Sequence, residues 1–314
     1  MGQDMSDSSL KNENLILDFT HVYCDEYIRD IDRFRYIDCS DIEETDMYCS
    51  KEAYNRIWDR IKPYGVHGIH YIDSGNYHYI TKIITDHIDE PFGLIMYDHH
   101  TDMQIPMVSG MMSCGDWAGQ ALSQNANLKQ LVIVGPPEKD IKQALCGYAE
   151  VKRLNDIDRS NDDVDGTVDK VLQADIVNGR LLIFSEEELH GGVPEDKLKL
   201  IRSDIPLYIS IDKDVLSAEC SETNWSQGDM SVGELERLLS VFLGSQGNER
   251  NSDTRQNDEI YAGDIRHTRI LGVDICGESQ TDIPVPEYLE AEEKNEKVNT
   301  ELFQFISEHV RHYR

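Results

Sequence analysis

Asp98, His100 and Asp102 stand at i, i+2 and i+4 in the stretch Gly93 to Asp102, GLIMYDHHTD. In a segment leaving a strand, alternate side chains point the same way, so these three can converge on one point. Two carboxylates and an imidazole on one face make a poor core and a good site for a divalent cation. Asp212 and Asp214 repeat the i, i+2 spacing where PLYISID, the most strand-like segment, gives way to KD. His78 lies in SGNYHY, a turn that follows the short apolar run Gly68 to Ile72. In parallel α/β sheets, ligands bind beyond the carboxyl ends of strands, and all three clusters fall at such positions. Four aspartates and two histidines in one cleft are too much negative charge for a single dication, whereas two dications balance it. An oxygen-rich set with two imidazoles and no cysteine suits manganese better than zinc. Two such ions about 3.5–4 Å apart lower the pKa of a bridging water and provide a hydroxide nucleophile near neutral pH.

The elements that must position these residues are legible as short apolar runs. Strands are expected at Ile16–Val22, Gly68–Ile72, Leu94–Tyr97, Gln130–Gly135, Leu181–Ser185, Pro206–Asp212 and Arg269–Cys276. Helical patterns cover 40–62, with Tyr48, Ala53, Ile57 and Ile61 on the buried side, and also Trp117–Asn125, Lys139–Tyr148 and Ser231–Leu243. Ser231 and Glu234 have the spacing of a capping box. A charged helix from about Glu287 to Tyr313 carries Leu302, Phe303 and Ile306 as its packing stripe. Apolar strands without polar alternation, separated by helices, predict an α/β fold: a three-layer αβα sandwich around a mostly parallel sheet. We expect a lead-in at 1–13 without fixed structure, then one domain over 14–314 with acidic or mobile insertions near 155–170 and 245–259.

Composition excludes several classes. Sixty acidic against thirty basic residues give a formal net charge of −30 over 314 residues, which disfavours nucleic acid and anionic membrane surfaces as partners. The seven cysteines are odd in number and widely spaced, which argues against a disulfide framework or a zinc ribbon. The polar N-terminus lacks the apolar core of a signal peptide, and no run approaches the ~18 apolar residues of a membrane helix. Cytoplasmic location is the expectation. Met1-Gly2 followed by Ser6 fits a loose myristoylation pattern without polybasic support. Asn161, Asp163, Asp165 and Gly166 match the start of a calcium-binding loop, but Leu172 stands where the bidentate Glu belongs, so this segment reads as a solvated acidic loop.

The segments YDHHTD, SIDKD and SGNYHY together resemble the arginase–agmatinase (ureohydrolase) superfamily, whose motifs are D-A-H-x-D, S-x-D-x-D and G-G-D-H. The resemblance covers about residues 65–280; the two aspartate motifs are specific and the match of SGNYHY to G-G-D-H is degenerate. It implies that His78, Asp98, Asp102 and Asp212 hold one Mn(II) ion. His100, Asp98, Asp212 and Asp214 would hold the other, with Asp98 and Asp212 bridging. Asp102 would also accept a hydrogen bond from the metal-bound hydroxide, making it a catalytic residue. His99 takes the family's Ala position and is expected to point away.

The departures bear on catalysis. The loop after the first aspartate motif ends SCGDWAG, so Asp116 replaces the usual Asn and Ala118 the proton-shuttling His. Alanine cannot move a proton, which leaves Asp116, His190 or water for that role. The family's D-I-x-E becomes Asp274-Ile275-Cys276-Gly277-Glu278, with the Glu one residue late, and a bulge at Gly277 would restore Glu278 as a catalytic substrate ligand. Gln104, Asp116 and Trp225 are the candidate substrate-binding residues, with Trp225 and Trp117 a possible cation–π wall. The resulting reading is a binuclear manganese hydrolase cleaving a C–N bond of a cationic guanidino or related amidine or amide small molecule. Alternatives are a deacetylase-like amidohydrolase, whose family keeps one metal site and a His-His pair, or a non-catalytic metal-binding protein. A homo-oligomer is expected by analogy alone.

Overall fold

Strands whose residues are apolar at every position can form only where both faces of a sheet are covered. Phe92–Tyr97 (FGLIMY) and Leu207–Asp212 (LYISID) are buried at all six positions. In the computed structural model, which describes residues 13–23, 33–145, 175–176, 178–243, 269–279, 281 and 283–310, they lie side by side at the centre of an eight-stranded sheet. With strands numbered along the chain, these are β1 (Asn14–Asp18), β2 (Phe34–Asp38), β3 (Tyr48–Cys49), β4 (Ile69–Ile72), β5 (Phe92–Tyr97), β6 (Met112–Ser113), β7 (Leu128–Val134), β8 (Leu181–Phe184), β9 (Leu207–Asp212) and β10 (Ile270–Cys276). The sheet order is β2-β1-β4-β10-β9-β5-β7-β8, and every pairing in it is parallel. Strands β3 and β6 form a separate antiparallel ribbon.

Alternation along each strand divides the core into two halves. Leu94 and Met96 of β5 face one side, with α1 (Lys51–Ile61), α2 (Ile80–Thr85) and α3 (Trp117–Gln124) packed over them. Ile95 and Tyr97 face the other, which also takes Leu235 and Leu239 of α6 (Val232–Leu243) and Val298, Leu302 and Ile306 of α7 (Val285–His309). Two short helices, α4 (Glu186–His190) and α5 (Glu195–Leu198), lie between β8 and β9 in the chain. The expected three-layer αβα arrangement with a parallel sheet is the arrangement found. Among the described residues no helix is long and apolar enough to cross a membrane.

Two expectations are corrected. The helix predicted over 40–62 is confined to Lys51–Ile61, because the Ser50 side chain caps it by accepting from Ala53 N at 3.1 Å. Ala53, Ile57 and Ile61 are buried as expected, whereas Tyr48 belongs to the β3–β6 ribbon. Strand β2 escaped detection because it is an edge strand with only Ile37 buried, so it carries no apolar run. The capping box at α6 is present, with Glu234 N donating to Ser231 Oγ at 3.3 Å and Ser231 N to Glu234 Oε2 at 2.9 Å. The segments 1–12, 155–170 and 245–259, with the calcium-loop resemblance, lie outside the described residues.

Candidate metal centre

The four central strands, β4, β10, β9 and β5, deliver their carboxyl ends to one place. After β4, the chain turns through a 3₁₀ segment at Gly75–Tyr77 and presents His78, which is 1% exposed. His78 Nε2 lies 2.9 Å from Ser210 Oγ of β9, so a proton donated there leaves the Nδ1 lone pair facing inward. Around Nδ1 stand Asp102 Oδ2 at 3.0 Å, Asp98 Oδ2 at 3.1 Å and Asp212 Oδ2 at 3.5 Å. These are the edge lengths of a coordination polyhedron with metal–ligand bonds of about 2.1 Å.

The second imidazole repeats the arrangement. His100 Nδ1 lies 2.8 Å from Asp214 Oδ2 and 3.4 Å from Asp98 Oδ1, while its Nε2 lies 2.9 Å from Ser226 Oγ. Asp98 therefore turns one oxygen to each histidine. Two groups of donors, His78–Asp98–Asp102 and Asp98–His100–Asp214, each have all their ligand atoms within 4.8 Å of one another and share that aspartate. A third such group is His78–Asp212–Cys276.

Local structure fixes the carboxylates in place. Asp102 has φ 49°, a left-handed conformation uncommon outside glycine. It is held by the first turn of α3: Ala118 N and Gly119 N donate to its carbonyl at 3.0 and 3.3 Å. Trp117 Nε1 donates to its Oδ2 at 2.6 Å. Asp212 Oδ1 accepts Asp214 N at 3.0 Å, and Asp214 Oδ1 accepts His99 N at 3.0 Å. A Cβ on Gly277, whose φ is +96°, would meet Asp212 Oδ1 at 2.5 Å, so the turn after β10 admits only glycine.

Crowding of carboxylates away from water leaves an electrostatic signature. Burial and then the charges of Asp214 and Asp98 push Asp212 up to about 7; burial and Asp98 push Asp214 up to about 6. Burial opposes a charged His100, but Asp214 and Asp98 outweigh it and raise the ring to about 12. Each shift reports a cluster short of positive charge, which is what divalent ions supply.

Over the cluster lies a cavity of about 170 Å³, lined by Asp98, His100, Asp102, Asp212 and Asp214 together with Met47, Tyr48, Gln104, Ile105, Met107, Cys114 and Trp225 among others. Gln104 and Trp225 are thus placed beside the centre. Asp116 and Glu278 are not among its lining residues. Asp116 is 2% exposed, and its Oδ1 accepts Ser113 N at 2.9 Å and Gln120 Nε2 at 2.7 Å, so it braces the start of α3. Gly277 does make the turn expected of it, but Glu278, 1% exposed, ends paired with Lys213 and Asn299 and is neither a surface acid nor a free carboxylate. Trp117 is fully buried against His78 at a ring distance of 4.8 Å and positions Asp102; it forms no wall of the cavity. His99 turns its Nδ1 to within 3.4 Å of Glu186 Oε2. His190 pairs with Asp229 at 2.8 Å in a separate cavity of about 310 Å³.

Sequence reasoning missed Ser210, Lys213 and Cys276 in this region. Ser210 could have been found, since it stands at i−2 from Asp212 on the same face of β9. Cys276 reaches the centre through the β9–β10 register, which pairs it with Asp212.

Superposition on solved structures places this architecture. Formimidoylglutamase from Bacillus subtilis subsp. subtilis str. 168 matches with a TM-score of 0.53 and 12% identity, over 95% of this chain and 93% of that one. Helicobacter pylori arginase gives 0.52 and 12%, over 95% of this chain and 99% of the other. The fold is that of the arginases. Bacillus cereus arginase matches with a TM-score of 0.51 at 13% identity, covering 91% and 97%. Identities this low relate the arginase fold to this chain and leave its chemistry to its own residues. An uncharacterized protein of Thermotoga maritima (strain ATCC 43589 / DSM 3109 / JCM 10099 / NBRC 100826 / MSB8) is 26% identical over 249 residues, which span 78% of this chain and 70% of the relative. No family profile matches the sequence.

Proposed function

We propose that this chain is a binuclear metal-dependent hydrolase that cleaves a C–N bond of a small guanidino, amidine or amide compound, with two Mn(II) ions as cofactors. The observation that carries this reading is the division of Asp98 between His78 and His100, which makes two donor groups out of one cluster. His78, Asp98, Asp102 and Asp212 would hold one ion; His100, Asp98, Asp212 and Asp214 would hold the other. Four carboxylates balance two dications, and oxygen and imidazole donors suit manganese. When bound, such a pair supplies Lewis acidity and a water nucleophile at neutral pH.

The chain's own residues then have definable tasks. Ser210 and Ser226 orient the two imidazoles, and Trp117 holds Asp102 so that one carboxylate oxygen faces His78. Trp225, T-shaped to His100 at 5.8 Å, forms part of the cavity wall beside that imidazole. Among the described residues none that lines the cavity is Lys or Arg, so the cavity favours a cationic or neutral substrate over an anionic one. Ala118 is fully buried and carries no proton, and Asp116 is engaged in the α3 turn, so protonation of the leaving amine falls to water. A deacetylase-like reading is less well supported, because His99, although T-shaped to His100 at 5.4 Å, turns its Nδ1 to Glu186 and is not among the residues lining the cavity.

The decisive experiment is a screen for urea or ammonia release from guanidino and amidine compounds by the manganese-loaded chain, with acetylated amines in parallel. Turnover of a guanidino or amidine compound is expected. Turnover confined to acetylated amines would replace this reading with the deacetylase class, and manganese binding without any turnover would favour a non-catalytic metal protein.

A further inference from the structure

Cys276 introduces sulfur into a centre that otherwise offers nitrogen and oxygen. It ends β10 in register with Asp212 at the end of β9, so both side chains leave adjacent strand ends on one face. The thiol donates to Asp212 Oδ2 over 3.2 Å. Cys276, His78 and Asp212 are 1%, 1% and 3% exposed, and their donor atoms lie within 4.8 Å of one another. His78 Nδ1, buried and without a hydrogen-bond partner among the described residues, lies 3.5 Å from Asp212 Oδ2. Thiolate, imidazole and carboxylate together are the donor set of zinc or cobalt, not of manganese.

We propose that His78, Asp212 and Cys276 form a sulfur-containing metal site that captures a thiophilic dication such as zinc. His78 and Asp212 also belong to the oxygen-rich centre described above, so an ion held with Cys276 competes with manganese for both residues. Ligation replaces the thiol proton by the ion, and the proton passes to solvent. The three-donor site rests on its own geometry; only the competition depends on the binuclear reading. The same donor cluster thus discriminates between metals: manganese completes the pair around Asp98, and zinc is diverted to the sulfur corner.

The test uses the full chain stripped of metal and titrated with Co(II), whose thiolate complexes absorb in the near ultraviolet. Wild type should develop this charge-transfer band, and Cys276→Ser and Cys276→Ala should not. Cys114, unlike Cys276, lines the cavity over the cluster, so Cys114→Ser serves as the control and should keep the band. Zinc should release manganese from the loaded wild type, and roughly tenfold more zinc should be needed in Cys276→Ser. No band in wild type, or a band that survives in both Cys276 variants, overturns the proposal. Manganese stoichiometry separates the two ideas. A Cys276-dependent band in a chain that holds no manganese pair would support the sulfur site and sink the binuclear reading. Two manganese ions with no such band would do the reverse.

Discussion

Lys213 and Glu278 form an ion pair from which water is excluded, their side chains being 0% and 1% exposed. Asn299 of α7 completes it, donating Nδ2–H to Glu278 Oε1 at 2.9 Å and accepting from Lys213 at 3.0 Å through Oδ1. Lys213 lies between Asp212 and Asp214, and its side chain reaches α7 while theirs reach the histidines. The pair thus ties the turn after β9, which carries Asp212 and Asp214, to the turn after β10. It also neutralises the carboxylate expected to meet a guanidinium.

Removing one partner of such a pair leaves the other charge buried and unbalanced. Lys213→Met should cost about 3–5 kcal/mol in urea unfolding of the full chain. Lys213→Met combined with Glu278→Leu should recover most of that loss, because no lone charge remains. A double variant no more stable than Lys213→Met would show that the pair is not the source of the effect.

Sharing of Asp98 predicts unequal losses of metal. Asp98→Ala should abolish binding of both manganese ions, since both His78 and His100 lose a partner oxygen. Asp102→Ala should weaken only the ion near His78, and Asp214→Ala chiefly the ion near His100. Equilibrium dialysis against manganese measures the stoichiometry. Equal losses in all three variants would argue against two separable positions.

Trp117 acts on the centre through Asp102. Trp117→Phe keeps an aromatic ring in the core and deletes the indole donor. Outer donors of this kind are worth roughly ten- to a hundredfold in metal affinity. The manganese dissociation constant should rise by about tenfold at the His78 position, with far-ultraviolet circular dichroism unchanged. An unaltered constant would assign Trp117 to packing alone.

Glu234 offers a pH test away from the centre. Hydrogen bonds from the Ser231 backbone N–H and hydroxyl hold its carboxyl below the ordinary value of 4.5. A depressed acid contributes stability above its unfolded pKa and loses it as pH falls through the folded one. Glu234→Ala should therefore destabilise the chain by about 0.5–1 kcal/mol at pH 7, the low end reflecting solvent exposure. The gap to wild type should narrow as pH falls below about 4. Urea midpoints at both pH values give the comparison, and a gap that widens in acid would reject the capping role.

The sequence by itself determined the candidate donors and the class of fold. Asp98, His100, Asp102, Asp212 and Asp214 declared themselves because period-two spacing at a strand end is a local property, fixed by backbone geometry within a few residues. Apolar runs such as FGLIMY declared a covered parallel sheet for the same reason. What required tertiary structure was everything set by neighbours distant in the chain. The sheet order inserts β10 and β9 between β4 and β5, and only that order brings His78, Cys276, Asp212 and Asp98 together. The absence of cysteine inferred from the motifs failed because Cys276 arrives through strand register. Glu278 and Asp116 were misjudged because a buried acid goes to the donor that neutralises or satisfies it, and Lys213 and the α3 turn already supply those donors. Spacing names the groups that could do chemistry; packing decides which of them are already spoken for.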